Sequence, residues 1–402
     1  MFKSYLVHGA SILNVLDGKR AVKDILVENG IVSAIEDTIV FPAEEIIDAS
    51  GLTITPGWVD DHAHFYYDAP DNIGVDPQRY FLPFGVTYAI DPGSAGADNF
   101  DDFRKYVRWS TDLKYKSYLN ISRIGVPIYG YELTDMSNLD EDACKAAFLR
   151  HKDELIGLKV RITNNMCTDP LGALQSVRRM CDELGTHFCV HATRCALSTE
   201  TILSYLKKGD MLTHSFARTD SGILGEDNAV KNCVWEARRR GVIFDVGHGI
   251  NSFTFSTAQK AMAQGFQADS LSTDLHISDV NGPVFDMPTT ISKFLGLGVS
   301  LEEAIRMVTV SPVKRLGLAD KSLVVTVGEP ADFTAFELKS GTFAYTDCDK
   351  AELIGDTRLN SRFTCVGSKI FTPRRSREAN RKIGDAATED RRKAREAFCK
   401  TS

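Results

Sequence analysis

Residues 155–191 read LIGLKVRITNNMCTDPLGALQSVRRMCDELGTHFCVH, and their pattern decides the fold. IGLKVRI is an apolar run of strand length. Asp169-Pro170 is a good helix opening and Gly185 a natural stop, with an amphipathic segment between them. THFCVHA then starts another strand. Outward from this unit the same alternation continues in both directions. WVDDHAH, GVTYAIDP and YKSYLNIS precede it, and MLTHSF, GVIFDVG and SLSTDLH follow. Between them lie the amphipathic segments NFDDFRKYVRWSTDL, DEDACKAAFLRHKDEL, STETILSYLKKG and EDNAVKNCVWEARRRG. Eight β-then-α units over roughly 250 residues predict an α/β fold, a (β/α)8 TIM barrel over residues 55–322. A doubly wound sheet would alternate too, but neither GxGxxG nor GxxxxGK occurs to mark a phosphate turn.

Both ends read differently. Residues 1–54 hold short strands around Asp17-Gly18 and Asn29-Gly30, the second a strong hairpin signal. Residues 323–372 (VVTVGEPADFTAFEL, GTFAYTD, RFTCVGSKIF) have the same character. They predict one small β-sandwich domain assembled from both termini. From Pro373 to Ser402 the chain carries charges of both signs without an apolar face, as a solvated helix or frayed tail does.

The chain has 402 residues, a net charge of −7, 43% hydrophobic and 25% charged residues, which is globular composition. Mild acidity argues against a nucleic-acid binder with a basic surface. No apolar run approaches the ~18–20 residues that span a bilayer. Nine cysteines, odd in number and without a CxxC pair, fit a cytoplasmic protein with reduced thiols. The expected partner is a small-molecule substrate, with neither nucleic acid nor membrane, and a homo-oligomer is the expected assembly.

The chemistry concentrates at strand ends. His62 and His64 in PGWVDDHAH share one strand face, aimed at the barrel mouth where active sites of this fold lie. Two imidazoles aimed together are a ready pair of metal ligands. His191, His214 and Asp274 each end a further strand. Lys159 lies inside an apolar strand, where a lone ammonium is costly to bury. Burial favours its neutral, nucleophilic amine, which can take up carbon dioxide as a carbamate able to bridge two cations. Four histidines, a carboxylated lysine and an aspartate would then hold two divalent metals with a water or hydroxide between them.

PGxxDxHxH, then the strand-four Lys, strand-five His, strand-six His and strand-eight Asp, in that order, resembles the amidohydrolase superfamily with its binuclear, carboxylated-lysine centre. The resemblance covers residues 1–372. It implies that His62, His64 and Asp274 bind the more buried metal and that His191 and His214 bind the second. Lys159 would bridge the two. Dihydroorotases commonly read His-x-His-x-Arg, whereas Tyr66 stands at the fifth position here. IGLKVR, CVHAT, THSF, FDVGHG and LSTDLH look instead like a deacetylase or dihydroorotase-like branch. That branch is associated with hydrolysis of N-acyl amino acids or acetylated α-hydroxy acids.

The expected reaction is attack of a metal-bridging hydroxide on an amide or ester carbonyl, with Asp274 as general base and then acid. Zinc is the expected metal, and manganese or cobalt could substitute. Arg161, two residues beyond Lys159, either clamps a substrate carboxylate or forms a structural ion pair. His248 is a candidate hydrogen-bond donor to substrate. Gly282 lies in a loop, Asn281-Gly282-Pro283, expected over the mouth. His276 has a structural reading, and His8, His151 and His187 read as bystanders. A cyclic amidase of dihydroorotase or hydantoinase type is the second reading. A non-catalytic scaffold of the same fold is the third, although such proteins typically lose ligands and every expected ligand is present here.

Overall fold

Asp169 accepts a hydrogen bond from the Gly172 N–H at 2.9 Å and Pro170 occupies the first turn. Gly185, at φ +64°, ends the helix Pro170–Leu184. The start and stop signals in the sequence thus do what side-chain capping and a left-handed glycine do physically. The computed structural model describes residues 1–67, 73–127, 131–319 and 321–373. Beyond Pro373 the charged tail lies outside the described residues.

The chain opens with β1 (Ser4–Leu13), β2 (Arg20–Glu28), β3 (Ile31–Glu36), β4 (Glu45–Asp48) and β5 (Thr53–Pro56). Parallel strands then follow: β6 (Trp58–Asp60), β7 (Val86–Asp91), β8 (Lys114–Asn120), β9 (Leu155–Arg161), β10 (His187–His191), β11 (Met211–Leu212) and β12 (Ile243–Phe244). They lie side by side in chain order in one curled seven-stranded sheet. Its two edges are joined by Ser270–Leu275, through bridges Asp245↔Ser270 and Ala63↔Leu275. The result is a TIM-barrel-like fold whose last stave is held by backbone hydrogen bonds, such as Val246 N–H to the Ser270 carbonyl and His64 N–H to the Leu275 carbonyl, and by side chains as well. Ser270 and Ser272 donate to Asp245 Oδ1 at 2.8 and 2.6 Å, and the Thr273 N–H donates to Asp60 Oδ1 at 3.0 Å. SLSTDLH, expected as the eighth strand, therefore takes that place without forming a regular strand among the described residues.

The chain returns to the first strands as β13 (Asp332–Thr346), β14 (Glu352–Val366) and β15 (Lys369–Phe371). These eight terminal strands run in the order β15-β14-β13-β5-β1-β2-β3, with β4 beside β1. Both ends do build one β unit, but its strands belong to a single hydrogen-bonded sheet. Tyr5, Val7, Ile25, Ile54, Phe333 and Phe363 pack in its apolar core, so neither end buries its face alone. Trp58 joins this unit to the barrel. It is fully buried, donates to Thr55 Oγ1 at 3.0 Å and meets the Phe336 ring at 5.8 Å. Burying such a side chain stabilises by ~1.5–3 kcal/mol, enough to make the seam a shared core. Among the described residues no helix is long and apolar enough to cross a membrane, and no disulfide joins the described cysteines.

Candidate metal centre

His62 and His64 follow β6, Lys159 lies in β9, His191 ends β10, His214 follows β11, and Asp274 lies in the closing segment Ser270–Leu275. His214 and Asp274 have φ of +61° and +49°, a region that costs a non-glycine residue roughly 1–3 kcal/mol. Neighbouring glycines make this arrangement possible. A Cβ at Gly247 would run into Thr213 and His214, and one at Gly249 into the Asp274 carboxylate.

Hydrogen-bond partners assign the ring tautomers of the first pair. Ser94 Oγ donates to Asp91 Oδ2 at 2.7 Å, so its single proton is used. His64 Nδ1, 2.7 Å from that hydroxyl, must then donate to it, so in the neutral form that a metal requires its free lone pair is on Nε2. Thr213 Oγ1 likewise donates to Asp245 Oδ2 at 2.8 Å. His62 Nδ1, 3.2 Å from Thr213 Oγ1 and 3.5 Å from Asp245 Oδ2, donates toward them and also frees Nε2. These two lone pairs face Asp274 Oδ1 at 3.3 Å (His64) and 3.6 Å (His62). Three buried acceptors, within 4.8 Å of one another, repel unless a cation stands between them. The donor set therefore fits a divalent metal.

The second pair is arranged otherwise. His214 Nδ1 donates to the Gly247 carbonyl at 2.7 Å, so its Nε2 is an acceptor. His191 Nδ1 fills that acceptor from 2.8 Å, and Thr193 Oγ1 answers His191 Nε2 at 2.7 Å. Lys159 is 3% exposed, and its Nζ lies 3.6 Å from Cys189 Sγ. Burial, followed by the positive charge of Lys159, holds His62 below the usual histidine range. Burial also takes His214 down to about 3, and burial with His214 and Lys159 beside it takes His191 well below. All three rings are thus in the neutral form that metals require. Asp245 is also shifted down, but against its burial. Burial would raise it, but hydrogen bonds from His62, Ser272 and Thr213 hold it at about 2.

A cavity of about 210 Å³ opens over these residues. His62, His64, Lys159, His191 and Asp274 line it, and so do Arg161, Arg194 and His276. Arg161 Nε donates to Glu132 Oε2, and the Glu132 carboxylate is 1% exposed. His276 contacts Asp279 Oδ2 at 3.2 Å. His248 and Gly282 are not among the lining residues. His248 Nε2 accepts from the buried Lys293 at 2.7 Å, and the same Nζ donates to the Pro283 carbonyl at 2.7 Å. The buried His248 and Lys293 are thus tied to the partly buried Gly282-Pro283 loop. Burial lowers Lys293 to about 7 there. Tyr66 is buried edge-on against Phe103, with ring centroids 5.4 Å apart. His8 pairs with Asp24, His151 with Asp101, and His187 starts β10 at the end opposite His191.

Residues 53–364, most of the chain, match the amidohydrolase family. The chain belongs to that family. This amidohydrolase is 31% identical over 361 residues to a deacetylase from Enterococcus faecalis, covering 87% of this chain and 95% of that one. It is 32% identical over 376 residues to a deacetylase from Brucella anthropi, covering 90% and 91%. Among solved structures it resembles a dihydroorotase, with a TM-score of 0.84 and 28% identity over 93% of this chain and 100% of that one. The amidohydrolase is a hydrolase, of the deacetylase and dihydroorotase-like kind. Members of the family generally depend on a binuclear metal centre, and His62, His64 and Asp274 form a metal-capable group here.

The supporting residues of this amidohydrolase escaped the sequence reading. Asp91 and Asp245 stand at strand ends, as the ligands do, and that position was an available signal. Ser94, Thr213 and Glu132 gave none. Serine, threonine and glutamate in loops are too common to single out without their neighbours.

Proposed function

We propose that this amidohydrolase removes an acyl group from a small carboxylate-bearing substrate, an N-acyl amino acid or an acetylated α-hydroxy acid. The observation that carries the reading is the convergence of three buried acceptors, His62 Nε2, His64 Nε2 and Asp274 Oδ1, on the floor of the 210 Å³ cavity. The deacetylase names of relatives aligned over most of the chain support the acyl substrate.

Two divalent metals, of which zinc suits the imidazole and carboxylate donors, would supply an activated water and polarise the scissile carbonyl. His62, His64 and Asp274 would hold the more buried one, and His191 and His214 the other. Lys159 would bridge them as a carbamate. Its ammonium would first give up a proton, and the resulting amine would bond to the carbon of CO2 and lose a second. Asp274 accepts the proton of the attacking water at a carboxylate oxygen. It then delivers that proton to the leaving nitrogen or oxygen. Ser94 with Asp91, and Thr213 with Asp245, keep the two histidine rings turned toward Asp274. The cavity's size limits the substrate to a small molecule.

The likeness to a dihydroorotase supports a second reading, a cyclic amidase. Against it, Tyr66 offers no cation where such enzymes place arginine. Metal analysis of the purified protein, followed by a screen, tests both readings. About two metals per chain and turnover of N-acetyl amino acids or O-acetyl-2-hydroxy acids are expected. Turnover of dihydroorotate or hydantoin alone would replace the first reading with the second. Lys159→Ala should lose activity, and short carboxylic acids should restore part of it. Full activity in that variant would remove the bridging role.

A further inference from the structure

We propose that Arg194, rather than Arg161, is the residue that binds the substrate's carboxylate; this rests on the acyl-carboxylate reading above. Apart from the histidines, three cations line the cavity: Lys159, Arg161 and Arg194. Lys159 sits deep among the candidate metal ligands, beside Cys189. Arg161 is ion-paired through Nε to Glu132 Oε2; that carboxylate is almost wholly out of solvent, and its Oε1 has no hydrogen-bond partner among the described residues. A buried carboxylate left alone is strongly destabilising, so Arg161 has its charge committed, and the pair is neutral overall.

Arg194 differs in each respect. It is exposed, and its guanidinium has no hydrogen bond or ion pair with any described residue. It lies three residues past His191 and one past Thr193, on the rim of the same cavity. Its φ is +53°, in the left-handed region, and its carbonyl accepts from the Asn164 N–H at 3.3 Å. Non-glycine residues persist in this region only when surrounding structure holds them there, and such residues cluster at ligand-binding sites. Asn165, Asn251 and Ser252 complete the rim with neutral polar groups, which can orient a ligand but cannot neutralise an anion. A free planar guanidinium beside them suits bidentate capture of a carboxylate. The chemical class follows: substrates bearing an anionic carboxylate close to the acyl group, in preference to their amides or esters.

The test compares acids with carboxamides on the metal-loaded protein. Isothermal titration would follow N-acetylglycine against N-acetylglycinamide and lactate against lactamide. The parent should bind the acids more tightly. Arg194→Met should weaken the acids about 10- to 150-fold and the amides by less than about threefold, the range for losing one charge-assisted contact. Arg194→Lys should retain part of the preference. Arg161→Met, even if it lowers the melting temperature by stranding Glu132, should leave the acid-to-amide ratio near the parent's. Three results would each overturn the assignment: no preference for acids in the parent, equal losses on acid and amide in Arg194→Met, or loss of the preference only in Arg161→Met. Failure of the acyl reading is distinguishable. It would appear as no acyl turnover by the parent, while acid binding still depended on Arg194.

Discussion

The two histidine pairs of the candidate centre come from the same kind of position, the mouth end of barrel strands, yet the fold treats them differently. His62 and His64 spend their Nδ1 protons on hydroxyls backed by buried aspartates, and their free lone pairs meet at Asp274. His191 and His214 spend theirs in line, ring to ring and then to the Gly247 carbonyl, with Thr193 covering the remaining nitrogen. The first arrangement is organised before any cation arrives. In the second, a cation must compete with donors the protein already provides. Preorganisation rather than ligand identity therefore separates the two halves, and we expect the His62/His64/Asp274 half to be the tighter site.

Three substitutions put this difference to the test. Asp274→Asn removes the acceptor on which the first half converges and also the proposed proton carrier. It should lower kcat by at least ~10²- to 10⁴-fold while circular dichroism reports an intact fold. A kcat within a few-fold of the parent would place proton transfer on another residue. Ser94→Ala deprives His64 Nδ1 of its acceptor and cuts the ring off from Asp91. Losing such a support should weaken the tighter metal by about 10- to 100-fold in competition with a chelator, with the weaker metal unaffected. An unchanged affinity would mean that packing alone orients His64. Thr193→Val removes the hydroxyl that competes for His191 Nε2. One neutral hydrogen bond is worth about 0.5–1.5 kcal/mol, so the weaker metal should bind about 2- to 10-fold more tightly. Weaker binding there would show that Thr193 supports the site rather than opposing it.

Most of the barrel was legible because parallel strands buried on both faces write long apolar runs, and capped helices write start and stop signals between them. The closing segment was legible only in outline. In SLSTDLH the serines and threonine read as a polar-flecked strand. They are in fact fasteners, tied by side chains to Asp245 and Asp60 on the two neighbouring strands. The terminal strands were legible as strands, but their joining into one sheet depends on pairings such as Phe333↔Pro56, far apart in sequence. In the site, histidines, a lysine and an aspartate stood out by chemistry and position. What each ring nitrogen does could not be read, because it is set by hydroxyls and carbonyls from other strands. Arg161 shows the same limit. Its parity placed it correctly on the cavity wall, and its partner Glu132 arrives from a loop that carries no periodic signal.

The segment that joins the sheet's two edges is also the one that carries Asp274. A ribosome makes His62 and His64 early and this segment late. Until it emerges, a nascent chain holds both imidazoles but not the carboxylate on which they converge. Seating Ser270–Leu275 seals the ring and completes the first ligand set in one step, so a chain that has not closed cannot present that set assembled. If the group takes a metal as proposed, synthesis must run past Leu275 before that ligand set can exist whole.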